Sequence, residues 1–125
     1  AVKTGIIDII TSDHNPIDIE DKKVEFSAAK NGTIGLESCF GAVNSVLSLE
    51  ESIEALTTKP RKIFGLETTK IAIGEKADIS LFNPKSTYTF SKEHILSTSK
   101  NAAFLGKNLE GKAYGIFANN QLVIQ

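Results

Sequence analysis

Four β-branched residues, Ile6, Ile7, Ile9 and Ile10, broken only by Asp8, make a nearly continuous apolar run close to the start of the chain. Such a run predicts a strand covered on both faces, as in a parallel sheet, where neither side can afford polar groups. The polar turn Ser12-Asp13-His14-Asn15-Pro16 follows at once. In a parallel α/β architecture, catalytic and ligand-binding groups collect at the C-terminal ends of strands, where loops vary over a rigid base. Asp13 is therefore the first candidate functional residue. Taken alone, it reads first as a turn carboxylate capping Asn15 or a nearby amide.

Downstream, Ile17 to Phe26 mixes acidic, basic and scattered apolar residues and predicts a loop or an irregular helical turn. Ala28, Ala29, Asn31, Gly32 and Gly35 are small and turn-prone, so the backbone there can approach a ligand closely, or simply connect two elements. Leu36, Cys39, Phe40, Val43 and Leu47 fall at helical spacing and predict a helix over 36–47. Ser48 with Glu51 forms a capping box before a second helix. Lys59-Pro60 is expected to stop that helix, and 60–65 to form a short one with Pro near its first position and Gly65 at its end. Ile79 and Leu81 alternate with Asp78 and Ser80 in a strand that Asn83-Pro84 should end, and Tyr88-Thr89-Phe90 gives another. Residues 91–96 suggest one capped turn, and 106–111 a loop. Ala113–Ala118, Asn119-Asn120 and Gln121–Ile124 predict a hairpin with a two-residue turn.

Composition narrows the function classes. The chain has 125 residues, 41% of them hydrophobic, which suits one unit with a buried core. Its 14 basic and 15 acidic residues are dispersed, so no basic stripe points to nucleic acid. Apolar runs of a few residues fall far short of the roughly 20 that cross a bilayer, so no membrane partner is expected. The single Cys39 fits a reducing, cytoplasmic setting. A chain with no Met that opens on a buried type of strand reads as a fragment of something longer.

The motifs, taken together, carry a family resemblance. Ile7-Asp8-Ile9-Ile10-Thr11-Ser12-Asp13-His14-Asn15-Pro16 resembles the eighth barrel strand of dihydroorotases, members of the amidohydrolase superfamily, where Asp-His-Ala-Pro-His follows an apolar strand. Later signatures keep the family's order: Lys22 with Phe26, Ala29 with Gly32, Gly35-Leu36-Glu37-Ser38, and Pro60-Arg61-Lys62-Ile63-Phe64-Gly65-Leu66. So do the segments 74–84, Ser99-Lys100-Asn101 and 104–112. The resemblance implies an α/β fragment: residues 1–66 as the last strand and helices of a (β/α)8 TIM-type barrel, residues 67–125 as short strands of a small β-rich C-terminal domain. It also implies a zinc enzyme of pyrimidine biosynthesis that interconverts dihydroorotate and N-carbamoyl-aspartate. In the family, the aspartate at the position of Asp13 binds the metal and moves a proton between the bridging hydroxide and the ring nitrogen. Asn31 and Gly32 match the loop whose backbone contacts the substrate. The other metal ligands would lie before Ala1, so this piece alone is expected to be inactive and to need the missing N-terminal part of the same chain. His14 is expected to support the loop, and His94 to be solvated.

Departures from the pattern bear on activity. Four residues after the aspartate, the family's substrate-contacting histidine is Ile17 here, which can donate no hydrogen bond. Asn31-Gly32 stands for Phe-Gly, Lys30 for a proline, and Ala102-Ala103 for Thr-Pro. Ile17 motivates a second reading, a catalytically silent homologue acting as a structural partner of aspartate transcarbamoylase or of a second copy. A hydantoinase or allantoinase with shared metal chemistry is the third reading, and an independent β-rich binding module the fourth.

Overall fold

The computed structural model describes residues 1–68 and 70–125. Their regular structure begins at α1, Leu36–Asn44, followed by α2, Leu49–Ile53. Ser48 caps α2 as its sequence predicts: its hydroxyl accepts from the Glu51 amide at 3.2 Å, and the Glu51 carboxylate accepts from the Ser48 amide at 2.8 Å. The helix does not stop at Lys59-Pro60. It passes through a π-turn, Glu54–Thr58, into α3, Lys59–Ile63, with Pro60 in the first turn. Proline has no amide to donate and its ring crowds the carbonyl one turn back, and the wider turn just before it relieves both problems. Gly65, at φ +66°, ends the run, and the Leu66 amide returns to the Arg61 carbonyl at 2.8 Å.

Three antiparallel strands complete the fold in the order β1, Ile79–Thr89, then β2, Asn108–Ala118, then β3, Gln121–Ile124. Two expected short strands are thus one, running through Asn83-Pro84. Proline is tolerated there because β1 lies at a sheet edge and its register with β2 shifts between Asn83 and Thr87. The buried Asn44 secures that irregularity, its Nδ2 donating to the Pro84 carbonyl at 2.9 Å and the Glu110 carbonyl at 3.0 Å. β2 also starts inside the expected 106–111 loop, at Asn108. The final hairpin turns at Asn119 and Asn120, with φ of 51° and 58°, the geometry of a type I′ turn.

The core joins both halves of the chain: Ile34, Phe90, Ile95 and Leu109 are buried together, with Ala42, Tyr88 and Ala102 packed on them. Phe40 of α1 meets Phe82 of β1 edge-to-face at 4.8 Å. The chain nonetheless exposes 9089 Å². A compact monomer of its 13.5 kDa would expose about 6,500 Å². Much of the excess is apolar, with Ile6 77% and Phe26 99% exposed.

The expected opening strand is not formed among the described residues. Gly5 to Thr11 has no ladder partner; Ile9 and Ile10 are half-buried, and the Ile10 amide donates to the Ala55 carbonyl at 3.1 Å. A parallel strand takes its hydrogen bonds from neighbouring strands, and no described segment supplies one here. The run of isoleucines that calls for two-sided cover is left exposed at Ile6 and Ile7 and half-covered at Ile9 and Ile10.

Candidate functional site

Two loops and a bracing segment meet beside the N-terminus of α1. The first loop carries Asp13. Its backbone is left-handed, φ 41°, a strained conformation for a residue with a side chain. Several contacts hold it. The Asp13 amide donates to Thr11 Oγ1 at 3.2 Å, and two residues on, the Asn15 amide donates to the Thr33 carbonyl at 2.9 Å. The Asp13 side chain is exposed and free to take a ligand.

His14 fastens this loop to α1. Gly35 at the head of the helix has no side chain to cap it, so the imidazole supplies the acceptor: Nδ1 receives the Gly35 amide at 3.1 Å and the Leu36 amide at 3.2 Å. An acceptor nitrogen must keep its lone pair, so the ring proton sits on Nε2, 3.5 Å from Ser97 Oγ. The Ser97 hydroxyl and amide both donate to Glu37 Oε1, the amide at 2.8 Å. Burial pushes the Glu37 carboxyl up, but the Ser97 hydroxyl and amide outweigh it and hold the group below its ordinary value. The other oxygen, Oε2, is buried with no hydrogen-bond partner among the described residues.

The second loop holds Asn31 and Gly32. Asn15 Nδ2 reaches the Asn31 carbonyl at 3.5 Å, a weak bond. Gly32 has φ +139°, and a Cβ there would lie 2.7 Å from Ile17 Cγ1 and 2.9 Å from the Asn15 carbonyl. Only glycine fits, so the two loops touch backbone to backbone. Ile17 stands at this contact as an apolar wall.

The brace is Ser97 to Ala103. Ser99 Oγ donates to the Ile17 carbonyl at 2.9 Å, tying the brace to the first loop. Asn101 Nδ2 donates to the Gly32 carbonyl at 2.8 Å, while its own carbonyl accepts the Ile34 amide at 2.9 Å and Thr33 Oγ1 at 3.1 Å. Ile34 and Ala102 form a single parallel bridge at this point. Pro16–Ile19 and Thr98–Asn101 also wall a cleft of about 710 Å³, shared with Lys23 and Lys92; Asp13, Asn31 and Gly32 do not line it.

The loops of Asp13 and of Asn31-Gly32 are thus joined, whereas His94 lies elsewhere. Far from solvated, His94 is half-buried, its ring 5.0 Å from Tyr88 and its Nδ1 accepting the Ser91 amide at 3.1 Å in a 3-10 turn, Lys92–His94. The rings of Tyr88, near the end of β1, and Phe90, just past it, draw the imidazole inward. Among the described residues no three His, Cys, Asp or Glu side chains converge to hold a metal ion. No described helix is long and apolar enough to cross a membrane. In the sequence, Glu37 and Asn101 stand only as members of the Gly35–Ser38 and Ser99–Asn101 motifs, and Ser97 in none. Their contacts join residues 60 or more positions apart, which no local pattern encodes.

No family model matches the chain. It is similar to a dihydroorotase of Chlorobaculum tepidum, with 35% identity over 130 residues, 99% of this chain and 30% of the relative. A dihydroorotase of Caldicellulosiruptor saccharolyticus is 35% identical over 98% of this chain and 30% of its own length. Among solved structures, the dihydropyrimidinase of Brevibacillus agri superposes with a TM-score of 0.83 at 28% identity, over 99% of this chain and 30% of that one. The chain spans less than a third of the curated relatives it matches.

Proposed function

Starting from a chain related along its whole length to dihydroorotases of the amidohydrolase superfamily, we propose that it supplies part of the active site of a zinc-dependent dihydroorotase. In this reading residues 1–66 end the barrel and residues 67–125 contribute to the β-rich flanking domain. The reaction is the reversible ring opening of dihydroorotate to N-carbamoyl-aspartate in the cytoplasm, a step of pyrimidine biosynthesis. The observation that carries the reading is the joining of the Asp13 loop to the Asn31-Gly32 loop through the Asn15 amide and the Thr33 carbonyl.

Asp13 fits as one ligand of a metal centre: it is an exposed carboxylate on a backbone held in place from both sides. The remaining donors come from outside the described residues, in keeping with the 30% of the relatives' length that the chain covers. Bound zinc would polarise the scissile carbonyl and lower the pKa of an attacking water. The chain's own part is to accept and return a proton at the Asp13 carboxylate, and to place substrate against the Asn31-Gly32 backbone. The large apolar surface around Ile6, Ile7 and Phe26 is where the rest of the protein would pack.

The test is the zinc-loaded complete protein assayed with dihydroorotate and N-carbamoyl-aspartate, beside Asp13→Asn. A neutral amide cannot take up the proton, so kcat should fall about 10² to 10⁴-fold, the usual contribution of a general base, with an unchanged unfolding midpoint. Equal kcat in the variant refutes the role of Asp13. Ile17 favours a second reading, a silent homologue that partners aspartate transcarbamoylase or a second copy, because it places a hydrocarbon against Gly32. Metal binding without turnover of either substrate would support it. Turnover of hydantoin in place of dihydroorotate would shift the reading to the hydantoinase and dihydropyrimidinase side of the superfamily, where the solved relative lies.

A further inference from the structure

The brace contributes a residue to the site without touching Asp13. We propose that Asn101 is a positioning residue that sets the backbone of the Asn31-Gly32 loop for substrate and couples that loop to the one carrying Asp13. The inference rests on the reading of Asn31-Gly32 as a substrate loop for its catalytic arm, but not for its structural arm.

Asn101 grips the loop on three sides. Its Nδ2 donates to the Gly32 carbonyl at 2.8 Å, which also fixes which way its amide points, since only the nitrogen can donate to a carbonyl. Its main-chain carbonyl receives the Ile34 amide at 2.9 Å and Thr33 Oγ1 at 3.1 Å. Thr33 Oγ1 in turn accepts the Ala103 amide at 3.0 Å, so the threonine hydroxyl bridges both ends of the grip. The grip leads on to the first loop: the Thr33 carbonyl is the acceptor for the Asn15 amide, two residues past Asp13. A second tie in the same brace, Ser99 Oγ to the Ile17 carbonyl, holds the far end of that loop at 2.9 Å.

Gly32 needs this hold. With φ +139° and no side chain, it has more freedom than any other residue type to rotate its peptide, and a rotated peptide would turn the Asn31-Gly32 backbone away from bound substrate. The side-chain bond of Asn101 to its carbonyl removes that freedom. Asn101 belongs to a segment remote in sequence, so it can be altered while both loops keep their own residues.

Asn101→Asp keeps the shape and removes the donor, placing an acceptor against the Gly32 carbonyl; Asn101→Ala removes both. Two measurements on the complete protein separate the outcomes. Steady-state kinetics with dihydroorotate should show KM raised about tenfold in either variant, the cost of one lost hydrogen bond to a part-buried acceptor, with kcat within about twofold and zinc content unchanged. Amide exchange should show the Asn15 amide about tenfold less protected, although residue 15 is untouched, while the Cys39 amide inside α1 keeps its protection. Unchanged protection at Asn15 overturns the inference, whatever the activity. If the wild-type protein turns over no dihydroorotate, the functional reading fails and the exchange result alone decides the positioning role. Proportionate loss of kcat and zinc with KM unmoved would instead mean that Asn101 supports the metal region and not the substrate loop, and would equally overturn it.

Discussion

Replacing Gly32 by alanine should open the joint between the two site loops. Two costs add. The backbone at φ +139° lies on the side of the map that side chains avoid, worth about 1–2 kcal/mol for an L-residue. The new Cβ would also sit 2.7 Å from Ile17 Cγ1, 2.8 Å from Asn15 Nδ2 and 2.9 Å from the Asn15 carbonyl. The Ile17 side chain can yield, but the Asn15 carbonyl is backbone, in a residue whose own amide is fixed to the Thr33 carbonyl. Overpacking against such a neighbour costs about 1–3 kcal/mol, so about 3 kcal/mol is expected in all. Gly65→Ala is the control: φ is positive there too, +66°, but nothing lies within 4 Å, leaving about 1–2 kcal/mol of backbone cost. Native-state amide exchange is the assay, read at Asn15, whose amide crosses this joint, and at Ile34, whose amide ties the second loop to the brace. About 3 kcal/mol corresponds to exchange more than a hundredfold faster. Rates within about threefold of wild type at both amides would refute the close approach of the loops.

His14→Ala leaves the Gly35 and Leu36 amides without their acceptor and should cost about 1 kcal/mol, as for loss of a helix cap. His14→Asn, whose Oδ1 can stand for Nδ1, should recover most of it in urea unfolding. Glu37 titrates lower in the folded protein than its ordinary value of about 4.3, because its bonds to Ser97 favour the charged form. Its contribution to stability is therefore complete above that value and is lost as pH falls through the folded pKa. Urea unfolding from pH 7 to pH 3 should show the difference between wild type and Glu37→Gln constant at the upper end and shrinking at the acid end; a difference that grows on acidification would contradict the assignment. Ile17→His restores a donor beside Gly32, and in an active protein KM for dihydroorotate should fall about tenfold, the value of one charge-assisted hydrogen bond. No change in KM would mean that residue 17 does not face the substrate.

Local chemistry was legible wherever a contact closes within a few residues. The Ser48 and Glu51 capping box, Gly65 at the end of α3 and the Asn119-Asn120 turn were all readable, because each depends on residues five apart at most. Pro60 and Pro84 misled for one reason. Each breaks a regular ladder only if nothing nearby changes its geometry, and here a π-turn and a register shift do so. The register shift is itself held by Asn44, 40 positions from Pro84, and so was out of reach of any window along the chain.

The site divides along the same line. Asp13 stood out because a carboxylate after an apolar run is a local signal. What fixes it in space is non-local: His14 to Gly35 and Leu36 across 21 and 22 positions, Asn15 to Thr33, and Asn101 to Gly32 across 69. The isoleucine run shows the converse. Its pattern asks for cover on two faces, and the described residues cover it only in part, at Ile9 and Ile10. In the proposed reading Ile6 and Ile7, exposed here, and Ile10, tied to Ala55, mark where the surroundings of Asp13 would be completed. A site whose two loops are locked by bonds inside this chain, and whose base is left uncovered, has its geometry set on one side only. Substitutions in the brace should then act on substrate, and substitutions in the isoleucine run on assembly with the rest of the barrel.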